Sequence, residues 1–371
     1  MRRLFFAFPL VFGAFAANAQ ESSPIKLELG GFMKWYAAAA YNEHTPAGQD
    51  YNRADIIGDA EFHFRGSAQI SENLKIGVLA ELEGGTDSSY KSRAWDEVYM
   101  YVDSLYGRLY FGDVKNAGSK LTVSAPSASF LGIDESDFPY VMPVPVSVTY
   151  LNAPYTKSPD SLAPKVMYFS PSVNGVMFGV SAVAASDSNG HDASVLYPKN
   201  DSSAGIKIKN GVSSVLRYDF ENNDESFGAH ISATYSRYEP NDVLSHPLQD
   251  YTLGVNVSID NWTIGGAVRR AQADARSAFA KMQGYMWEAG VMYDASKWAA
   301  SVNVLDSRVR GDIAKSGDDR YTLYVASYKY RLGAGIDLFA ETAYAQARNE
   351  DGDDGLSADA FSTVAGFSLS F

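Results

Sequence analysis

Apolar and polar residues alternate with a period of two along almost the whole chain, and this constrains the fold more than any other feature of the sequence. Such a period belongs to extended strands, whose successive side chains point to opposite faces. It is plainest at the carboxy-terminus, where Phe361, Thr363, Ala365, Phe367, Leu369 and Phe371 share one face. Ser362, Val364, Gly366, Ser368 and Ser370 share the other. Along 53–70, Phe62, Phe64, Ala68 and Ile70 alternate with Glu61, His63, Arg65 and Gln69. Along 74–86, Ile76, Val78, Ala80 and Leu82 oppose Lys75, Glu81 and Glu83. Along 93–104, Val98, Met100 and Val102 oppose Glu97, Tyr99 and Tyr101. The pattern also covers 25–41, with Leu27, Leu29, Met33 and Trp35 against Lys26, Glu28 and Lys34, and 106–113, with Leu109 and Phe111 against Arg108 and Tyr110. Ten further stretches lie at 164–171, 175–186, 205–222, 226–239, 249–260, 262–274, 282–295, 297–310, 319–332 and 335–348, and the carboxy-terminal one spans 359–371. Sixteen strands are therefore predicted.

The connections between them alternate in length. Short ones (71–73, 104–105, 172–174, 222–224, 261, 295–296, 333–334) are interleaved with longer ones near 42–52, 87–92, 114–163, 187–204, 240–248, 275–281, 311–318 and 349–358. That arrangement puts tight turns on one rim and loops on the other, and it requires an even number of antiparallel strands. The segment 114–163 is exceptional, with no sustained period. Seven of the fourteen prolines lie between Pro126 and Pro164. Proline removes ladder donors, so the segment is no central strand. Its apolar content (Phe130, Leu131, Phe138, Tyr140, Val141, Met142) predicts a packed loop.

The chain opens with Arg2 and Arg3, an apolar run from Leu4 to Ala17, and the small-residue pattern Ala17-Asn18-Ala19. This predicts a secretory signal peptide over 1–19, followed by one domain over 20–371. Removing two arginines and no acid takes the net charge from −13 to −15. After residue 19 no apolar run is long enough for a spanning helix. Mean hydropathy is −0.19, yet the chain holds 24 Tyr, 20 Phe and 5 Trp. A barrel in a membrane reconciles the two, because only alternate strand residues meet lipid and aromatic girdles mark the interfaces. Backbone groups in hydrocarbon need internal partners, so strands cross only as a closed sheet. Sixteen strands enclose an aqueous lumen. The predicted fold is all-β, a 16-stranded antiparallel transmembrane β-barrel. The acidic balance excludes nucleic acid as a partner. With no cysteine, an exported chain of this length is held by its fold alone.

Three stretches carry a family resemblance. Asn73-Leu-Lys-Ile-Gly-Val-Leu-Ala-Glu-Leu-Glu83, Glu97-Val-Tyr-Met-Tyr-Val102 and Tyr106-Gly-Arg-Leu-Tyr-Phe-Gly-Asp113 resemble the early strands of Gram-negative general porins. Lys165-Val-Met-Tyr-Phe-Ser-Pro171 resembles the strand that follows that family's long third loop, and the terminal Phe371 resembles its assembly signal. The resemblance implies a homotrimeric outer-membrane channel, set in lipid and lipopolysaccharide, whose third loop (114–163) folds into the lumen. It implies passive diffusion of small hydrophilic solutes and ions, with no cofactor and no chemical step. The sequence departs from the enterobacterial pattern by having Asp137-Phe138-Pro139 where that pattern has Pro-Glu-Phe-Gly-Gly.

With the loop folded inward, Asp134, Glu135 and Asp137 are the expected acidic side of a constriction. Lys34, Arg53, Arg65, Arg93, Arg108 and Lys165 are the expected basic side. Opposed charges across a waist orient dipolar solutes and select by size and charge. The run Asn349-Glu-Asp-Gly-Asp-Asp354 offers hard oxygen ligands to Ca²⁺ but lacks helix-loop-helix spacing, so a solvated loop is the expectation. The motifs of serine hydrolases, zinc proteases and nucleotide-binding loops are absent. One alternative stays open, a substrate-specific channel for sugars or anions, with Tyr99, Tyr101, Tyr110 and Tyr140 as a possible aromatic track.

Overall fold

The computed structural model describes residues 24–42, 54–85, 95–156, 160–187, 206–223, 225–241, 246–273, 280–312, 314–351 and 357–371. The expected signal segment 1–19, together with Arg53 and Arg93, lies outside the described residues. In chain order the strands are β1 (Lys26–Asn42), β2 (Ala54–Ser71), β3 (Leu74–Gly85), β4 (Trp95–Ser104), β5 (Gly107–Asp113) and β6 (Pro164–Phe169). There follow β7 (Val176–Val183), the short β8 (Ser186–Asp187), β9 (Ile206–Glu221), β10 (Phe227–Pro240), β11 (Leu248–Ile259) and β12 (Trp262–Gln272). The last five are β13 (Gly284–Asp294), β14 (Trp298–Val309), β15 (Asp319–Gly333), β16 (Ile336–Arg348) and β17 (Ala358–Ser370). Because β8 prolongs β7 along the same partner, β9, the barrel has sixteen spanning strands, as the periodicity predicts.

Every pairing is antiparallel between chain neighbours, and β1 closes the sheet on β17 in register from Phe32↔Ser370 to Asn42↔Ala360. Gly31 and Phe371 complete the seam by exchanging backbone hydrogen bonds of 3.0 and 3.1 Å. Closure leaves no ladder groups facing lipid, which is the condition for strands to cross hydrocarbon. No helix among the described residues is long and apolar enough to cross a membrane, which says nothing of strands.

The faces are inverted relative to a water-soluble protein. Outward Phe367 is 52 % exposed while inward Ser362 is fully buried. Trp262, Tyr293, Trp298 and Tyr328 form a chain of rings with centroids 4.8 to 6.0 Å apart, beside the short turns at 260–261 and 295–297. An aromatic belt at that height fits a lipid–water interface. Four of the non-glycine residues with positive φ, Asn174, Glu225, Asp260 and Ala334, also sit on the short-turn rim. Tight hairpins demand that conformation, because it matches the twist of the flanking strands.

The segment between β5 and β6 enters the lumen. It contains two short helices, α1 (Ala117–Leu121) and α2 (Phe138–Val141). Asn116 caps α1 by accepting from Ser119 N at 2.9 Å. Leu131, Ile133, Phe138, Met142 and Leu151 are almost wholly buried between the loop and the wall. Phe130 stacks on Phe339 of β16 with ring centroids 4.5 Å apart, and Tyr150 lies 4.3 Å from Tyr321 of β15.

Candidate functional site

The loop is held by its own backbone. Inward side chains of successive strands accept its amides: Ser181 of β7 from Ala117 (3.0 Å), Ser213 of β9 from Gly118 (3.2 Å) and Ser232 of β10 from Val123 (2.8 Å). Farther round, Glu288 of β13 accepts from Ala125 (2.6 Å), Ser301 of β14 from Ala128 (2.9 Å) and Glu341 of β16 from Phe130 (2.5 Å). On the return leg, Asp319 of β15 accepts from Thr149 (2.7 Å) and Ser307 of β14 from Leu151 (2.8 Å). Arg269 of β12 then donates to the carbonyls of Ala153 and Tyr155 (2.9 and 2.8 Å) while its guanidinium grips Asp250. Buried backbone groups require partners, and here the barrel wall supplies them.

The approach is close enough to require glycine. A Cβ on Gly254 of β11 would stand 1.9 Å from the Val123 carbonyl oxygen, and one on Gly290 of β13 2.7 Å from that of Pro126. The loop thus lies along the lumen faces of β7 to β16. Inward polar side chains of these strands therefore find partners in the loop.

At its far end the loop meets β1. Lys34 Nζ donates to Phe130 O (3.2 Å) and Asp137 Oδ2 (2.7 Å), and lies 3.0 Å from Asp59 Oδ2 of β2. Of the residues expected at a constriction, Lys34 and Asp137 are therefore brought together. The other described ones, Asp134, Glu135, Arg65, Arg108 and Lys165, make their contacts elsewhere. Asp134 accepts from Ser124 Oγ at 3.0 Å, and burial together with the neighbouring Glu135 pushes its carboxyl above the usual range, against that hydrogen bond. Glu135 hydrogen-bonds Tyr155, whose hydroxyl burial raises. Arg65 donates to His63 Nδ1 at 2.7 Å on the lumen face of β2. Arg108 pairs with Asp103 beside the short turn at 105–106, 5.1 Å above the ring of Tyr101. Lys165, 4 % exposed, closes the neck of the loop by donating to carbonyls that include Val114, Ser161 (3.0 Å) and Ala163 (2.7 Å).

The facing wall is acidic. Asp59, Glu61, Glu81, Glu83 and Asp96 are all half-buried on the lumen side of β2, β3 and β4, with Glu61 opposite Glu83 and His63 opposite Glu81 in the register. Strand alternation had already put Glu61, Glu81 and Glu83 on this face, but without a role. Donor atoms of Glu61, His63 and Glu81, and of Glu61, Glu83 and Asp96, converge closely enough to hold a cation. Arg65 donates to His63 Nδ1, which places the ring proton on Nε2, facing Glu61, so the imidazole acts as a donor and not as a ligand. Glu97 of β4 serves the loop, accepting from Lys115 N (2.8 Å) and Lys120 Nζ (2.9 Å). In the last outer connection, Lys315 binds Asp351 and, at 3.1 Å, Glu350, so a cation of this chain already occupies the described part of the acidic run.

The same architecture is found in solved structures at low sequence identity. An anion-selective porin from Comamonas acidovorans aligns with a TM-score of 0.63 at 11% identity, over 94% of this chain and 100% of that one. The outer membrane channel DcaP of Acinetobacter baumannii gives 0.64 at 13%, over 94% and 97%. OmpF of Salmonella typhi, in complex with daunomycin, gives 0.61 at 14%, over 93% and 98%. No curated protein matches the chain by sequence. The model of the Gram-negative porin family matches residues 7–352, and the chain belongs to that family of outer-membrane diffusion channels.

Proposed function

We propose that small hydrophilic solutes and ions diffuse passively through the space left between the inward loop and the lumen faces of β2–β4, with no cofactor and no chemical step. The observation that carries this reading is the asymmetry of the lumen. The loop covers the inner faces of β7–β16, whereas Asp59, Glu61, His63, Glu81, Glu83 and Asp96 keep part of their surface open. A wall of solvated charge beside a packed loop favours water and hydrophilic solutes over apolar ones. Residues 1–19 direct export and are removed before the barrel assembles among lipid and lipopolysaccharide.

The working unit in this reading is a homotrimer. Supporting it, besides the family, is the apolar outer face of β1–β5, where Leu27, Leu29, Phe64, Val78, Met100 and Phe111 border one shallow depression. Chemical cross-linking of the purified protein should give a band at three times the monomer mass, and a product that stops at the monomer contradicts the trimer.

A sugar-specific channel is less well supported, because its aromatic track would need free ring faces. Tyr110 instead packs against Tyr99, Tyr101 and Phe169 with centroids 5.3, 6.4 and 5.6 Å apart, and is 7 % exposed. Liposome swelling with a graded series of sugars tests the reading. Rates should fall smoothly with solute mass, and a single saturable outlier would indicate a specific channel.

A further inference from the structure

We propose that this channel prefers cations, and that Glu61, Glu81, Glu83 and Asp96 on the lumen wall of β2–β4 set the preference, in place of the acidic run on the loop. The inference rests on the open-channel reading above and adds to it a permeant class: metal cations and solutes carrying ammonium or guanidinium groups.

The loop's acids are engaged elsewhere. Asp134 is turned to Ser124 in a buried setting, Glu135 to Tyr155, and Asp137 to Lys34. Lys34 also covers Asp59, and Lys120 covers Glu97 at 2.9 Å. Among the described residues, the wall carboxylates have a much thinner supply of positive charge. On their own strands the bases facing them are His63, which donates to Glu61 and lies 3.9 Å from Glu81, and Arg65, which is exposed and directed at His63. From the loop they face Lys115, and Lys120, paired with Glu97, also acts on Glu81. Burial alone would lower the Lys115 ammonium, but Asp96, Glu135, Glu97 and Glu81 more than offset it and hold its pKa above the ordinary lysine value. Of the acids acting on Lys115, Asp96 and Glu81 belong to this wall, which makes the wall a source of negative potential.

The strand register points the same way. Glu61 lies directly opposite Glu83, an arrangement that destabilises a sheet unless solvent or counter-ions screen it. The carboxylates face the open side of the lumen, where a cation is stabilised by several charges at once and an anion is repelled. A low-dielectric rim around a narrow water column strengthens both effects. Such selectivity weakens with ionic strength, because the screening length is about 10 Å at 0.1 M salt and roughly 3 Å at 1 M.

The test is the reversal potential of purified protein in planar bilayers under a KCl gradient. The unaltered channel should reverse on the cation-preferring side. Replacing Glu61→Gln, Glu81→Gln and Glu83→Gln together should cut the cation-to-anion permeability ratio several-fold while leaving stepwise openings intact. The loop variant Asp134→Asn with Glu135→Gln should leave the ratio where it was. Openings with zero or anion-preferring reversal would overturn the inference, as would a ratio moved by the loop variant and not by the wall variant. The absence of any openings in the unaltered protein would instead overturn the channel reading on which the inference rests.

Discussion

Lys34 Nζ stands 2.7 Å from Asp137 Oδ2, and this contact ties the far end of the loop to the first strand. The Lys34 side chain is 10 % exposed and that of Asp137 31 %, so the pair is neither fully screened nor fully desolvated. Lys34→Met should leave Asp137 and Asp59 facing each other with no cation between them. Losing the partner of a largely buried charged group costs about 1–3 kcal/mol. That energy is local to the loop end, so the variant should show larger current noise and a higher mean conductance while its barrel melts normally. Unchanged noise and conductance would mean the pair does not hold the loop.

Serine acceptors fix the middle of the loop. Ser232→Ala strands the Val123 amide and Ser301→Ala that of Ala128, each buried. Each should cost the loop about 1–3 kcal/mol. Hydrogen exchange should register this as faster exchange at those amides and their neighbours, with the β-ladder amides unaffected. Protection that survives both substitutions would show that the loop is held by apolar packing alone.

Asp134 makes loop docking depend on pH. Burial raises its carboxyl above the ordinary pKa of about 3.9, so the docked loop keeps a proton that the undocked loop has already released. The associated stability is fully present below the ordinary value and is lost as pH rises through the raised one. Amide protection factors in the loop should therefore be higher at pH 4 than at pH 8, and Asp134→Asn should flatten that difference. A profile that rises with pH would contradict the assignment.

The lipid face makes a separate prediction. Leu253 sits near the centre of β11, points outward and is 53 % exposed. Leu253→Arg should destabilise the barrel by about 2–4 kcal/mol if it lies at the midplane, as a charge in hydrocarbon does. Equilibrium refolding into bilayers under urea measures this. A neutral result would put Leu253 in contact with water.

The barrel was legible in the sequence because outward and inward residues differ in kind at every step, from Phe361 and Ser362 to Val98 and Glu97. Strand number and order follow from such contrasts and from the spacing of turns. Depth and cover do not. A two-residue period puts Arg108 and Lys165 on the lumen face, but it cannot say that Arg108 sits at the turn beside Asp103 or that the loop's neck encloses Lys165. Nor do Ser181, Ser213 and Ser232 look unlike any solvated wall residues. Their function emerges only when the loop amides are brought to them by contacts 64, 95 and 109 residues apart in the chain. The acidic wall lay between these cases, visible residue by residue as an inward face, yet assembled only by the pairing of β2 with β3.

The chain has no cysteine, so a single one can be placed at will. The most direct test of a water path along β2–β4 uses Glu83→Cys channels open in a planar bilayer and exposed to a bulky, water-soluble thiol reagent. Each current step should shrink on labelling, while Leu253→Cys channels should conduct unchanged. Currents that ignore the reagent at Glu83→Cys but fall at Leu253→Cys would contradict the account, placing water where the structure places lipid.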